Sequence, residues 1–209
     1  GLCVMDVDGT LILEEVIDLL GREAGREEEI SLITSRAMRG ELDFESSLRK
    51  RVSLLEGLPV SVFDKVFNSI HLTPNAQEFI SILQKNGILV GLLSGGFTPI
   101  VARLAKSLGI AYFSANQLEV KEGLLTGKLV GQIINPEVKK ETLEQWREEL
   151  KLSKDRTVAI GDGANDLLML KSAGLGIAFC AKEVLKQEIP NHVDKRDFLE
   201  VLSLIDCLE

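Results

Sequence analysis

Two aspartates, one residue apart, follow the first apolar run of the chain. Leu2 to Met5 is typical of a fully buried parallel strand, and Gly9 marks the point where the chain turns. In an extended chain the side chains at positions i and i+2 project to the same side, so the carboxylates of Asp6 and Asp8 are expected to converge. Two anions at one point require a cation. With that cation, a carboxylate pair is suited to phosphoryl transfer, in which charge neutralisation and positioning are the main contributions of the protein.

Two further polar clusters follow predicted strands later in the chain. Ser94-Gly95-Gly96, predicted to be a turn, comes after the apolar run Ile88 to Leu93, and Gly161 to Asp166 comes after Thr157 to Ile160. Ligands bind outside the carboxyl ends of the strands in such sheets, so the three clusters are expected to meet along one edge. The Ser94 hydroxyl and the glycine amides would form a cradle for an anion at the start of the next helix.

These groups predict a specific chemistry. Attack by Asp6 on a phosphate ester would give an acyl phosphate that water can hydrolyse. Asp8 is placed to protonate the leaving alkoxide and then to activate the water, because a crowd of carboxylates raises the pKa of one of them. Mg²⁺ prefers oxygen ligands, and Asp6, a group at Asp8 and Asp162 would be sufficient to hold it.

The elements that must position these clusters fall into two patterns. Four amphipathic helices are predicted between Leu13 and Ile70, the second of them ending at Gly40, and none of them can bury its apolar stripe alone. After Thr73, helices alternate with short apolar strands, among them 111–114 and 175–179, and residues 118–130 are predicted to form a small hairpin. The prediction is therefore an α/β protein with a Rossmann-like, mostly parallel sheet formed by residues 1–12 and 74–209, and a four-helix-bundle cap inserted at 13–73.

Composition narrows the class of partner. The 209 residues carry a formal charge of -8, and such an acidic chain is not expected to bind a nucleic acid or an anionic membrane. A small-molecule substrate is expected instead. The most apolar run is far shorter than the roughly 20 residues that span a bilayer, and we expect a cytoplasmic protein.

The three cysteines are widely spaced, which favours reduced, mostly buried thiols, and the two histidines show no zinc-site spacing. The sequence does not indicate an oligomeric state.

The four motifs, in this order, resemble those of the haloacid dehalogenase superfamily of phosphatases. They are Asp6-Val7-Asp8-Gly9-Thr10, Ser94-Gly95-Gly96-Phe97, a lysine ahead of the final strand and helix units, and Gly161 to Asp166. Two further stretches, 44–52 and 177–182, extend the resemblance to the branch that acts on O-phospho-L-serine, and the similarity covers essentially the whole chain.

The resemblance assigns roles to further residues of the predicted core. It implies Mg²⁺ on Asp6, the Asp8 backbone carbonyl and Asp162, with Asp166 orienting the metal ligands from behind. Asn165 would bind phosphate. The family's lysine lies just before a helix, and both Lys139 and Lys140 are candidates, although the family's spacing to Asp162 favours Lys139.

Within the predicted cap, the resemblance places Glu15 near the substrate amino group and Arg51 on its carboxylate. A zwitterionic amino acid needs one anion and one cation, and the planar guanidinium matches a carboxylate bidentately. Met38 and Phe44 would shield the site from water when the cap closes. From spacing alone, Met38 and Phe44 could equally be core residues.

Taken together, the motifs and the resemblance predict Mg²⁺-dependent hydrolysis of O-phospho-L-serine to L-serine and phosphate through an aspartyl phosphate, the last step of serine biosynthesis. One alternative keeps the fold but changes the reaction: a phosphotransferase, or a phosphatase for another small phosphate ester. Another is a catalytically silent regulator that binds phosphate or serine, which would be expected to lack one or more of Asp6, Asp8, Lys139 and Asp162, all present here.

Overall fold

The computed structural model describes residues 1–39 and 41–205 of the chain, and a seven-stranded sheet lies at its centre. The strands are β1 (Leu2–Met5), β2 (Leu89–Phe97), β3 (Tyr112–Lys121), β4 (Leu124–Val130), β5 (Thr157–Gly161), β6 (Leu175–Phe179) and β7 (His192–Val193). Their order across the sheet is β4-β3-β2-β1-β5-β6-β7, and every neighbouring pair is parallel except β3 and β4. The predicted α/β class with a mostly parallel sheet is confirmed.

Ten helices accompany the sheet in the described part of the chain. They are α1 (Val16–Glu23), α2 (Glu27–Met38), α3 (Phe44–Ser53), α4 (Val62–Asn68), α5 (Ala76–Lys85), α6 (Thr98–Ser107), α7 (Pro136–Glu149), α8 (Leu167–Ser172), α9 (Glu183–Glu188) and α10 (Leu199–Ile205). None of these helices is both long enough and apolar enough to cross a bilayer.

Strand β1 lies in the middle of the sheet, and all four of its residues are fully buried because the sheet is covered on both faces. Met5 pairs with Leu92 of β2 on one side and with Ile160 of β5 on the other. Asp6, the next residue, therefore emerges at the carboxyl edge of the sheet between the ends of β2 and β5. This register brings the three polar clusters to one edge, as predicted from their positions after the carboxyl ends of strands.

The four helices predicted between β1 and α5 are present as α1 to α4, and their apolar faces join the core. The chain enters and leaves this segment through two adjacent crossings. The N–H of Leu13 donates to the carbonyl of His71, and the N–H of Thr73 donates to the carbonyl of Leu11. The helical segment also contacts the hairpin, because the N–H of Gly57 donates to the carbonyl of Leu125.

The turn predicted at Ser94-Gly95-Gly96 is wrong. Strand β2 continues through these residues to Phe97 with an irregularity after Leu93, and Phe97 pairs with Asn116 of β3. The Nδ2 of Asn116 donates to the carbonyl of Gly95 over 2.8 Å, so a side chain from the neighbouring strand holds the backbone extended where glycine alone suggested a turn.

Other boundaries also differ from the predictions. β3 is one long strand that leaves the parallel sheet to form the hairpin, rather than a short strand near residue 114. The short elements α9 and β7 were not predicted, because six- and two-residue segments carry little periodic signal. Gly40, predicted to end α2, and Cys207 lie outside the described residues.

Candidate active site

A pocket of about 290 Å³ opens at the carboxyl edge of the sheet, between the sheet and helices α1 to α3. Nine of the residues predicted from the sequence line it: Asp6, Asp8, Glu15, Phe44, Arg51, Gly95, Gly96, Asp162 and Asn165. The tertiary structure therefore brings together carboxylates from two strand ends, glycines from a third and side chains from the helical segment.

Lys139 lies behind this pocket, between two aspartates. Its Nζ donates to Asp6 Oδ1 and to Asp166 Oδ1, each over 2.7 Å, and the lysine is fully buried. Burial alone would lower the pKa of Lys139, but the charges of Asp166 and Asp6 reverse that effect and raise it, so the ammonium stays charged. Lys140 is exposed, so of the two candidate lysines the structure brings Lys139 to the site.

Lys139 is held in place by the start of α7. Asn135 precedes the helix, and its Oδ1 accepts a hydrogen bond from the N–H of Val138 over 2.9 Å. Pro136 follows at the first helical position, where a missing N–H costs nothing. This cap fixes the first turn of the helix, and Lys139 projects from that turn into the site.

Three carboxylates form a compact acidic cluster. Oxygen atoms of Asp6, Asp162 and Asp166 lie within 4.8 Å of one another. Burial first, then the charge of Asp166, raises the pKa of Asp6, while Lys139 acts in the opposite direction. Burial and Asp166 likewise raise the pKa of Asp162. Oxygen ligands and a surplus of negative charge fit a hard divalent cation, which would relieve the repulsion among these groups.

Thr10 fixes the orientation of Asp162. Its Oγ1 donates to Asp162 Oδ1 over 2.9 Å, and Thr10 is itself fully buried. Gly9, one residue earlier, has a φ of 71°, a conformation that an L side chain rarely adopts. A Cβ added at Gly9 would also lie 3.0 Å from Asp162 Oδ2. The turn after β1 is therefore shaped around Asp162.

Asp8 has one carboxylate oxygen without a partner. Among the described residues no group bonds to its buried Oδ1, and the backbone N–H of Val16 acts to lower the pKa of the carboxyl group. Burial, and then the charge of Glu15, raises the pKa of Asp8 well above its usual value. A carboxyl group that stays protonated in a pocket can donate its proton to a departing oxygen.

The glycine motif is packed tightly behind the two aspartates. The N–H of Gly96 donates to Ser94 Oγ over 2.8 Å, and Ser94 is fully buried. A Cβ at Gly96 would lie 2.9 Å from Asp8 Oδ2, whereas one at Gly95 would come no nearer to another residue than 3.5 Å, at Phe44 Cζ. Gly95 and Gly96 line the pocket, but Ser94, predicted in the anion cradle, lies beneath them.

Across the pocket, charged groups of α1 and α3 face the aspartates. Glu15 is exposed at the mouth of the pocket, yet the packing around it and the charges of Asp162 and Asp18 raise its pKa to about 7. Arg51 is half-buried, and its guanidinium makes one long hydrogen bond, 3.4 Å, to the carbonyl of Ser47. No ion pair of Arg51 is found among the described side chains, so its charge is available to an anion in the pocket.

Several pocket residues were not predicted. Asp18, Thr34 and Lys182 line the pocket, and Asp18 lies one helical turn after Glu15, a spacing that could have identified it. Lys182 immediately precedes α9 and is the last residue of the stretch 177–182, which carried part of the resemblance but was not assigned to the site. Phe44 lines the pocket as predicted, while the side chain of Met38, the last residue of α2, lies outside what the structure describes.

Comparison with known proteins identifies the class. The sequence model of the haloacid dehalogenase-like hydrolases matches residues 1–174, and the chain belongs to this family of enzymes. Among individual relatives, the chain is 52% identical to the phosphoserine phosphatase of Lactococcus lactis subsp. lactis, over 100% of this chain and 96% of the relative. It is 46% identical to that of Methanocaldococcus jannaschii, over 98% of this chain and 97% of the relative.

Two solved structures resemble the whole fold. One is described as a phospho-aspartyl intermediate analogue of phosphoserine phosphatase and the other as a substrate-bound phosphoserine phosphatase complex. Each has a TM-score of 0.92 and 45% sequence identity, and each match covers 97% of both chains. The similarity therefore includes the helical segment as well as the sheet.

Proposed function

We propose that this chain hydrolyses O-phospho-L-serine to L-serine and phosphate. The proposal is carried by one observation: Glu15 and a half-buried Arg51, which has no ion pair among the described side chains, lie across one pocket from Asp6 and Asp8. A phosphate site and a site for a zwitterion would then lie side by side. The similarity to phosphoserine phosphatases over the full chain supports the same substrate.

In the proposed reaction, Asp6 Oδ attacks phosphorus and the serine oxygen departs with the proton of Asp8. Water then attacks the aspartyl phosphate while Asp8 takes back a proton, which releases phosphate and restores both carboxyl groups. Lys139 holds Asp6 in place and offsets its charge, and Asn165 and the amide of Gly95 would bind the phosphoryl oxygens. The N–H of Gly96, predicted in the same cradle, already donates to Ser94 Oγ.

The acidic cluster supports Mg²⁺ as the cofactor. Asp6, the backbone carbonyl of Asp8 and Asp162 would hold it, with Asp166 behind them, and the ion would supply charge neutralisation for the phosphoryl group. The bond between Lys139 and Asp166 supports that positioning role, because it fixes Asp166 from the side away from the pocket.

Residues 13–73 would act as a cap that closes over the substrate. Arg51 would bind the serine carboxylate and Glu15 its ammonium, and Phe44 and Met38 would exclude water. Charge complementarity supports the pairing: Asp18 adds a second negative charge beside Glu15. As the last step of serine biosynthesis, the reaction would take place in the cytoplasm.

The substrate is tested by phosphate release from O-phospho-L-serine with Mg²⁺, compared with a panel of small phosphate esters. Arg51→Ala is expected to raise KM for phosphoserine about tenfold to a hundredfold, the usual loss for a charged hydrogen bond, and to leave p-nitrophenyl phosphate almost unaffected. Arg49→Ala is the matched control, since Arg49 lies on the same helix but pairs with Glu45 on the surface. Similar turnover of esters that lack an amino-acid head would refute the substrate assignment.

The mechanism is tested with two isosteric variants. Asp6→Asn is expected to abolish turnover while the protein remains folded. Asp8→Asn should release one equivalent of p-nitrophenolate per enzyme in a burst and then stall, because this leaving group departs without a proton but the aspartyl phosphate still needs a base. Free hydroxyl acceptors added to the phosphoserine assay would reveal a phosphotransferase, since the phosphate would appear on the acceptor.

A further inference from the structure

Two short segments connect the sheet with the helical segment, and they pair with each other as a short antiparallel ribbon. Ile12 and Leu72 form an antiparallel bridge, and the N–H of Leu13 donates to the carbonyl of His71 over 3.0 Å. At the base of the ribbon, Thr73 Oγ1 donates to the carbonyl of Thr10 over 2.6 Å. The ribbon therefore fixes the path of the chain immediately before it reaches the pocket.

The side chain of Glu14 closes the upper end of this ribbon. Its Oε2 accepts a hydrogen bond from the backbone N–H of His71 over 3.0 Å, and its Oε1 lies 2.7 Å from His71 Nδ1. The carbonyl of Glu14 accepts a hydrogen bond from the N–H of Gly9 over 3.3 Å, in the turn that carries Asp8. Glu14 is thus held both by its backbone and by its side chain.

The residue that follows is Glu15, whose carboxylate lines the pocket. Glu15 also caps α1, and its carbonyl accepts a hydrogen bond from the N–H of Asp18 over 3.1 Å. Two identical side chains therefore stand next to each other at the entrance to the pocket. Glu14 is bonded to His71, whereas Glu15 faces the pocket in which the substrate would bind.

We propose that Glu14 is a positioning residue for substrate selection. Its side chain binds His71, and this contact fixes the position of Glu15 in the pocket. It would act through Glu15 without touching the substrate. This inference rests on the proposed function, because it assumes that Glu15 binds the ammonium of an amino-acid ester.

The contact is suited to setting an orientation rather than to holding the fold together. The side chain of His71 is 71% exposed and that of Glu14 is 21% exposed, and exposed pairs of this kind contribute little to stability. The side chain of Glu14 makes no described contact with Asp6, Asp8 or Lys139. Its removal should consequently change substrate preference more than it changes folding or phosphoryl transfer.

The test is a double-mutant cycle in the intact chain, read with two substrates. Glu14→Ala, Glu15→Ala and the double variant are compared for kcat/KM on O-phospho-L-serine and on p-nitrophenyl phosphate, which has no ammonium. Glu14→Ala is expected to lower kcat/KM for phosphoserine about tenfold, mainly through KM. For p-nitrophenyl phosphate, kcat/KM should stay within about twofold of the wild-type value. The double variant should lose no more than Glu15→Ala, because both changes remove one interaction.

Two further variants separate positioning from a general structural effect. Glu14→Gln keeps an acceptor for the His71 N–H and should recover most of the phosphoserine activity, whereas Glu23→Ala, which removes a surface contact with Lys65, should change neither substrate. Equal losses of Glu14→Ala on both substrates, or additive losses in the double variant, would overturn the inference while leaving the proposed function intact. If Glu15→Ala does not discriminate between the substrates, the assignment of Glu15 fails and this inference fails with it.

Discussion

Lys139 Nζ lies 2.7 Å from Asp6 Oδ1, and both side chains are almost completely removed from solvent. The same ammonium also bonds to Asp166, so a single cation from α7 joins the end of β1 to the residue before α8. Opposite charges in a buried site are favourable only when they remain paired. The geometry of the acidic cluster therefore depends on this lysine.

Replacement of Lys139 should destabilise the protein. Lys139→Met leaves Asp6 and Asp166 buried without their cation, and a loss of about 3–5 kcal/mol in the free energy of unfolding is expected at neutral pH. Lys140→Met is the control, because Lys140 is exposed and its replacement should cost less than about 0.5 kcal/mol. Urea denaturation of the metal-free proteins measures both. Equal stability of the two variants would contradict the structural role of the buried pair.

The two glycines of the motif should respond differently to a methyl group. Gly96→Ala places a Cβ 2.9 Å from Asp8 Oδ2 and Ser94 Oγ, so Asp8 must shift and kcat should fall about 100-fold. In Gly95→Ala the nearest atom to the new Cβ is Phe44 Cζ at 3.5 Å, an ordinary contact, and a much smaller loss is expected. Steady-state rates of both variants, with circular dichroism to verify folding, provide the comparison. A larger loss of kcat in Gly95→Ala than in Gly96→Ala would contradict this prediction, because it would show that contact with Asp8 is not what makes a methyl group harmful here.

Substrate recognition should depend on pH through Glu15. The groups packed around Glu15, and then the charges of Asp162 and Asp18, raise the pKa of Glu15 to about 7. Below that pH the carboxyl group is increasingly protonated and cannot attract an ammonium, so kcat/KM for phosphoserine should fall roughly tenfold per pH unit. The ratio of wild type to Glu15→Gln isolates this effect, because the phosphate group of the substrate, with a pKa of about 6, titrates equally in both. A ratio that stays constant from about pH 5 to pH 8 would exclude an ionised Glu15 in binding.

Metal affinity should depend on Thr10. Thr10→Val keeps the shape of the side chain but removes the hydrogen bond to Asp162 Oδ1, and the Mg²⁺ concentration for half-maximal activity should rise about 10- to 100-fold. Thr126→Val removes a comparable hydrogen bond, to Glu119 in the hairpin, and should leave the Mg²⁺ requirement unchanged. Titration calorimetry with Mg²⁺ provides a second measurement. An unchanged affinity in Thr10→Val would contradict a role of Asp162 as ligand.

The sequence predicted the elements that carry a strong periodic or apolar signal. β1 and β6 have the predicted bounds, and α1 to α4 fall where amphipathic stripes indicated helices, because burial of one face imposes a fixed spacing on apolar residues. The turn at Ser94 to Gly96 was predicted wrongly, since local glycine content could not reveal the hydrogen bond from Asn116, which lies 21 residues from Gly95. The roles of the site residues remain predictions until the variants described above are measured.

The sequence by itself determined the α/β fold and the sheet edge at which the polar clusters lie, because the alternation of helices and strands and the ends of the strands follow from local patterns. Only the tertiary structure decided between Lys139 and Lys140, since burial separates neighbours that have the same chemistry. It also decided which of Glu14 and Glu15 faces the pocket and which is bound to His71. Such choices depend on contacts between residues far apart in the chain, and no local pattern encodes them.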